Sequence, residues 1–316
     1  MKKILLPLLT CLLLTSLLLI AGCSSKTTQN QATPSSEKVK IIATVYPVYD
    51  FTRIVGGDKV DLSLLVPPGA EPHDWEPKAK DIAALKTAKA IFYQGNGLEP
   101  YADKLLTPEQ LGQTKPFQIG KDITLLPASE AEDEDSAKHE KIANDPHVWL
   151  DPVNAKQEVK NILTALITID PANKEYYQKN ADQLTADLEK LNQDYTTTLH
   201  ALPKKDFVTT HAAFAYLAKR YQLNQVPLMG LAPDAEPTPD KMASIVQFVR
   251  QHKVKVIFFE TLVSPKLAET ISKETGATTL VLNPIEGLTE EEMKEGKNYL
   301  TIMRENLDHL KIALSE

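Results

Sequence analysis

From Val39 onward the chain alternates short β-branched runs with helical ones, and Pro or Gly marks most junctions. Ile41–Val45 reads as a strand, Val48–Val55 as a helix closed by Gly56-Gly57, and Val60–Val66 as a second strand. Pro77–Ala88 reads as a helix with Pro in its first turn, Ala90–Tyr93 as a third strand, and a fourth falls within Phe117–Ile123. Regular strand–helix alternation requires right-handed crossovers, and these require a parallel sheet with helices on its faces. The same grammar restarts at Phe207–Thr210 and continues through Val226–Met229, Val254–Phe259 and Thr278–Leu282. Ser264-Pro265 starts one helix there, Gly276 stops it, and Thr289 with Glu292 forms a capping box on another. The chain therefore reads as an α/β protein of two lobes, residues 39–169 and 202–316, with about four strands each.

Between the lobes, residues 170–201 read as one long helix. Tyr177, Ala181, Leu184, Leu188, Leu191, Tyr195 and Leu199 recur every three or four positions after the Asp170-Pro171 start. About 30 residues at 1.5 Å each make a rod of roughly 45 Å, long enough to run along both lobes and limit hinge opening. Two shorter helices broken near Asn192 are the alternative.

The N-terminus pairs Lys2-Lys3 with an apolar stretch from Ile4 to Ile20 that Pro7 interrupts, the pattern of a secretion signal. Ile20-Ala21-Gly22-Cys23 resembles a bacterial lipobox, which makes residues 1–22 a lipoprotein signal peptide and Cys23 the lipid anchor to the bilayer. Residues 23–38, rich in Ser, Thr, Gln and Asn, read as a flexible tether of roughly 20 Å. Losing Lys2 and Lys3 takes the formal net charge from −7 to −9. An acidic surface argues against nucleic acid and mildly attracts cations. Cys11 lies in the discarded segment, so metal chemistry in the mature chain must use His and carboxylates.

Three of the seven histidines, His73, His147 and His211, stand just after a strand pattern and before a helical one, and so does Glu286. The carboxyl ends of strands in a parallel sheet share one edge, so residues distant in sequence can meet there. Three imidazoles and a carboxylate would form a transition-metal site. Prolines clamp two of the loops, Glu71-Pro72-His73-Asp74-Trp75-Glu76-Pro77 and Asp145-Pro146-His147-Val148-Trp149-Leu150-Asp151-Pro152. Each residue also has an ordinary reading: a surface loop for His73, a helix junction for His211, a solvent-facing turn for Glu286. Glu260, also at a strand end, is either a rival fourth ligand or a partner that orients a histidine. His200, His252 and His309 read as solvent-facing. The acidic stretch from Ala128 to Asn144, with His139, reads as a solvated loop or as a low-affinity metal collector. No HExxH, Cys-x-x-Cys or EF-hand spacing occurs, so only the fold can assemble this site.

These segments, together with Asn96-Gly97-Leu98-Glu99, Thr210-His211-Ala212-Ala213-Phe214-Ala215-Tyr216-Leu217, Ala235-Glu236-Pro237-Thr238-Pro239 and Phe258-Phe259-Glu260, resemble the zinc-binding branch of the cluster A-I solute-binding lipoproteins of bacterial ABC transporters. The resemblance runs from about Val39 to the C-terminus. It implies two (β/α)₄ lobes joined by a long rigid backbone helix, metal held in the cleft by His73, His147, His211 and, as in some members, Glu286, and delivery to the membrane permease of an ABC importer. It also implies a monomer anchored on the outer face of the cell membrane, facing the extracellular side or periplasm. Many zinc-binding members carry a long His-rich loop where this chain has its acidic stretch, which weakens any scavenging role for that stretch.

Neutral imidazoles suit Zn²⁺, and a tetrahedral His₃-carboxylate set satisfies it with no ligand-field preference. Manganese branches of the resembled family place an acid where His211 stands, so the third imidazole points to zinc. Protonation of free imidazoles would weaken binding below about pH 6. A zinc hydrolase is the rival class, since His₃ with an open water position is catalytic; a metal-binding surface adhesin is the other. Closure of the shell by Glu286 separates the first from a non-enzymatic carrier.

Overall fold

The computed structural model describes residues 37–128, 143–231, 233 and 237–315. The signal segment 1–22, Cys23, the tether up to Ser36, His139 with its acidic loop, and Ala235-Glu236 lie outside the described residues.

Two four-stranded parallel sheets carry the fold. The first has the order β2-β1-β3-β4, from β1 (Val39–Ala43), β2 (Val60–Leu64), β3 (Ala90–Tyr93) and β4 (Lys115–Gln118). The second repeats it as β6-β5-β7-β8, from β5 (Asp206–Thr209), β6 (Asn224–Pro227), β7 (Val256–Phe259) and β8 (Thr278–Val281). In each sheet the chain reverses its winding direction beside the first strand, which creates a crevice beyond the strand ends.

Strand ends differ from the sequence expectation. β1 stops at Ala43 rather than Val45, because the helix Tyr46–Gly56 starts at once with Pro47 in its first turn. The fourth strand is Lys115–Gln118, two residues earlier in its start than the Phe117–Ile123 expected and ending before Ile119. The helix expected from Pro77 begins at Ala79, where Asp81 accepts the Lys78 N–H at 2.9 Å. The helix expected from Ala212 begins at Ala215. The capping box of Thr289 with Glu292 and the left-handed stop at Gly276 are as read; the intervening helix starts at Lys266, one position later than Ser264-Pro265 implied.

The connection between the sheets holds the main departure. Asp151 caps a helix that the sequence reading did not mark, Pro152–Ile169, by accepting the Val153 N–H at 2.9 Å. A turn at Pro171–Asn173 follows, then the linking helix Lys174–His200, unbroken at Asn192. Asp170 ties that turn by accepting from Tyr177 Oη and Asn173 Nδ2 at 2.6 and 2.7 Å. All seven apolar positions named above are buried on the linking helix. At about 1.5 Å per residue its 27 residues span roughly 40 Å. It packs on the helix Tyr46–Gly56, where Asn180 Nδ2 reaches Val55 O at 3.1 Å, and on the C-terminal helix Tyr299–Leu314, where Tyr195 Oη reaches Met303 O at 2.6 Å. One apolar cluster therefore runs from the first sheet through these helices into the second.

A matching device sits at the end of each central strand. Thr44, directly after β1, donates its N–H to Phe92 O at 3.0 Å and its hydroxyl to buried Glu99 at 2.6 Å. Thr210, directly after β5, donates its N–H to Phe258 O at 3.1 Å and its hydroxyl to buried Glu260 at 2.7 Å. In the first lobe a second buried acid lies close by. Glu158 of the helix Pro152–Ile169 accepts from Gln94 Nε2 at 2.6 Å. Burial, with Glu99 adding its charge, pushes its carboxyl up to about 8 from 4.5.

A carboxyl held protonated by burial stabilises the fold fully below its unfolded value of 4.5, and that contribution is lost as pH rises through the folded value near 8. The isosteric, permanently neutral Glu158→Gln is therefore expected to flatten the decline in Tm between about pH 5 and pH 8, and to melt above the wild type at the alkaline end. Parallel Tm profiles by circular dichroism would contradict the assignment.

Candidate metal centre

His73 lies on the loop after β2. Gly69 gives that loop a positive φ of 83° and docks it by donating its N–H to Leu288 O at 2.8 Å. Glu71 accepts the His73 backbone N–H at 3.2 Å. His147 precedes a single 3₁₀ turn, Val148–Leu150, and Asp145 Oδ1 accepts both its backbone N–H, at 2.9 Å, and its ring Nδ1, at 2.7 Å. Trp149 donates its indole N–H to Pro284 O at 2.8 Å, tying this segment to the turn that carries Glu286. His211 leaves the end of β5, and its Nδ1 meets Glu260 Oε1 at 2.6 Å.

Glu286 needs an unusual backbone. Ile285 before it has φ of 62°, left-handed and costly for a β-branched residue, at roughly 1–3 kcal/mol. Asn283 holds the turn by accepting the Ile285 N–H at 2.7 Å, and is itself gripped by Asn306 and Glu292. The strain aims the Glu286 carboxylate at the three imidazoles.

These four side chains converge. Their ligand atoms lie within 4.8 Å of one another, with at most 8% of any of the four residues exposed. His73 Nε2 is 3.2 Å from His147 Nε2; Glu286 Oε1 is 2.9, 3.3 and 3.7 Å from Nε2 of His147, His211 and His73. A tetrahedral ion with bonds of about 2.0–2.1 Å has ligand–ligand edges of about 3.3 Å. The observed spacings bracket that edge. Both Glu286 oxygens and His211 Nε2 are buried with no hydrogen-bond partner, an arrangement that a shared cation satisfies.

The carboxylates behind the rings set the donor atoms. Asp145 and Glu260 accept from Nδ1, so Nδ1 carries the proton and Nε2 turns a lone pair to the common centre. Glu260 thus stands behind His211 rather than among the four converging groups, which decides between its two sequence readings. Burial opposes an imidazolium at both positions, but Asp145 and Glu286 around His147, and Glu260 and Glu286 around His211, outweigh it. His147 is held above the ordinary 6.5 and His211 well above it. Burial likewise opposes the Glu286 anion, yet His73 and the other two rings hold its carboxyl well below the usual range. Protons thus compete with a cation for this centre.

Sequence reasoning missed Asp145 and Glu71. Asp145-Pro146-His147 carried a usable signal, since an aspartate can accept the N–H two residues on. Glu71 left none; burial, then the neighbouring Glu286 charge, pushes its carboxyl up to about 9. The remaining described histidines take no part. His200 is exposed at its helix end, and His252 is exposed beside Asp206 at 2.8 Å. His309 is not solvent-facing as expected: it is half-buried and its Nδ1 meets Val281 O at 2.7 Å, because the C-terminal helix lies over β8.

The family model for zinc-uptake complex component A, periplasmic, matches residues 41–313. The high-affinity zinc uptake system protein ZnuA of Bacillus subtilis is 42% identical over 300 residues, 94% of this chain and 94% of that protein. The zinc-binding lipoprotein AdcA of Streptococcus pneumoniae is 41% identical over 305 residues, 95% of this chain but 60% of that protein, so the chain spans less than two thirds of that relative. The crystal structure of the Zn(II)-bound ZnuA-like domain of the pneumococcal protein aligns with a TM-score of 0.77 at 40% identity, covering 89% of this chain and all of the domain. The laminin binding protein Lmb of Streptococcus agalactiae, described as bifunctional with adhesin and metal transporting activity, aligns with a TM-score of 0.79 at 34% identity, covering 88% of this chain and 100% of that one.

Glu260→Gln removes the charge behind His211 while keeping its size. It is expected to weaken divalent-ion binding by about 10–100-fold at pH 8. It should also move the acid loss of binding to lower pH, because His211 no longer holds its proton as firmly. Competition against a chromophoric chelator between about pH 5.5 and 8 measures both, around the ordinary histidine value; an unshifted pH profile would refute the role given to Glu260.

Proposed function

The chain belongs to the zinc-uptake complex component A family, and from that premise we propose that it captures Zn²⁺ at His73, His147, His211 and Glu286 and delivers it to the membrane permease of an ABC importer. The observation that carries this reading is the spacing of three imidazole nitrogens and one carboxylate oxygen near the edge length of a zinc tetrahedron, out of solvent. Zinc is cargo here, so its binding must be reversible. Deprotonated ligands capture it, and protons returned to the raised imidazoles favour its release.

Four protein donors fill a tetrahedral shell and leave no position for an activated water, which argues for a carrier over a hydrolase. Among the described residues no helix is long and apolar enough to cross a membrane. Attachment by lipid at Cys23, after removal of residues 1–22, then places the carrier on the outer face of the membrane, with residues 23–38 as its tether. Lobes 39–169 and 202–316 act as one monomeric unit around the linking region 170–201, which supplies rigidity between the ligand pairs. The formal net charge of −7 argues against nucleic acid as a partner.

The likeness to the streptococcal protein described as adhesin and metal transporter favours a second reading, attachment to host matrix at the cell surface. Laminin coated on a plate separates the two, since a His73/His147/His211 triple alanine variant would lose zinc and keep adhesion if the surfaces are distinct.

For the soluble form starting at Ser24, metal analysis and zinc titration are expected to give one ion per chain. His211→Ala should weaken binding by more than the roughly 10–100-fold of an outer-shell change. Unchanged binding would remove His211 from the shell and with it the case for zinc.

A further inference from the structure

One short stretch of the second lobe, 211–220, does more than supply His211. Five residues on, Tyr216 donates its hydroxyl to Asp145 O at 2.8 Å and accepts the Leu126 N–H at 2.9 Å. One helical turn later Arg220 places Nε and a terminal nitrogen 2.8 and 2.7 Å from Asp151 Oδ2. Asp145 and Asp151 bracket His147. The first orients its ring and backbone, and the second caps the helix that follows. Tyr216 and Arg220 therefore grip, from the opposite lobe, both ends of the segment that presents His147. Residues at i and i+4 share one face of a helix, so a single face makes both contacts.

We propose that Tyr216 and Arg220 are positioning residues that hold His147 and His211 as a fixed chelating pair across the two lobes, and that zinc retention depends on this clamp. Neither touches the ligand atoms. Tyr216 acts through the Asp145 peptide: its bond to Asp145 O, with the Asp145 N–H on Leu126 O at 2.9 Å, fixes the backbone from which the orienting carboxylate projects. Its phenol is pushed up to about 12, chiefly by burial, so it remains a donor throughout the range in which zinc binds. Arg220 acts through Asp151, setting where the His147 segment enters its helix. A pair already held at chelating distance loses zinc only when both nitrogens release it, which slows dissociation more than it speeds capture.

The inference rests on the zinc reading, and the experiment separates the two. The soluble form starting at Ser24 is loaded with zinc, and dissociation into excess chromophoric chelator is followed for the wild type, Tyr216→Phe, Arg220→Lys, Asp145→Asn and the Tyr216→Phe/Asp145→Asn double variant. Tyr216→Phe keeps the ring, and Arg220→Lys keeps the charge without the forked geometry. Each is expected to raise the zinc off-rate by about tenfold, with the metal-free Tm within a few degrees of the wild type. In the Asp145→Asn background Tyr216→Phe should add little, because both act on the same imidazole. An unchanged off-rate, an increase that merely follows a loss of metal-free stability, or effects that multiply in the double variant would each overturn the clamp. A wild type that takes up no zinc would overturn the zinc reading and the clamp together; a wild type that binds, with variants that release zinc at its rate, would overturn the clamp alone.

Discussion

Three imidazole nitrogens and a carboxylate share one dry space, with His73 Nε2 3.2 Å from His147 Nε2 and Glu286 Oε1 2.9 to 3.7 Å from the three ring nitrogens. Lone pairs packed that closely repel unless a positive charge sits among them, either protons on the rings or one divalent ion. Desolvation of a lone carboxylate costs several kcal/mol, so Glu286 can be buried only because cationic partners surround it. The rest of the structure holds this arrangement in place. The strained Ile285 aims the carboxylate, Asp145 and Glu260 fix the tautomers, and an apolar cluster continuous through both lobes keeps the two halves of the shell in register.

That cluster bears on how such a site can open. The linking helix packs on elements of both lobes, and Tyr299 at the start of the C-terminal helix donates its backbone N–H to Asp50 and its hydroxyl to Trp149 O in the first lobe. Buried contacts of this kind resist a wide hinge motion. Loops are freer, and His73 is carried on one, the stretch between β2 and the helix Ala79–Leu85. A rigid scaffold that carries its ligands on loops at the strand ends is a different machine from two lobes that swing on flexible strands.

Much of the fold was legible because its signals are local. The β-branched runs placed all eight strands to within a few residues, and the apolar spacing of the linking helix named every residue of its buried face. The missed helix Pro152–Ile169 shows where local signals fail. Asp151-Pro152 and Asp170-Pro171 look like the same start signal written twice, but Asp151 caps a helix with its side chain while Asp170-Pro171 opens only a 3₁₀ turn before Lys174. His309 misled for a related reason: helical position alone does not say which flank lies over a strand end. At the site, His73, His211 and Glu286 follow strand ends and could be read from topology, whereas His147 does not stand just after a strand as read but closes the long connection beyond β4. The role of Glu71 depends on side-chain direction and burial, which no spacing rule encodes, whereas Asp145 stood two residues before His147, where an aspartate can accept that N–H.

The threonine and buried acid at the end of each central strand give the two sheets a common fitting with unequal employment. In the first lobe the Glu99 carboxylate is saturated by Thr44 and the backbone N–H groups of Gln94 and Gly95, so it only knits a loop to the sheet. In the second, Glu260 has the Thr210 hydroxyl and the His211 ring on the same oxygen. Where Val45 follows Thr44, His211 follows Thr210. One half thus keeps the fitting as a brace, while the other has turned it into a pedestal, and the molecule's asymmetry of purpose comes down to which neighbour occupies that single seat.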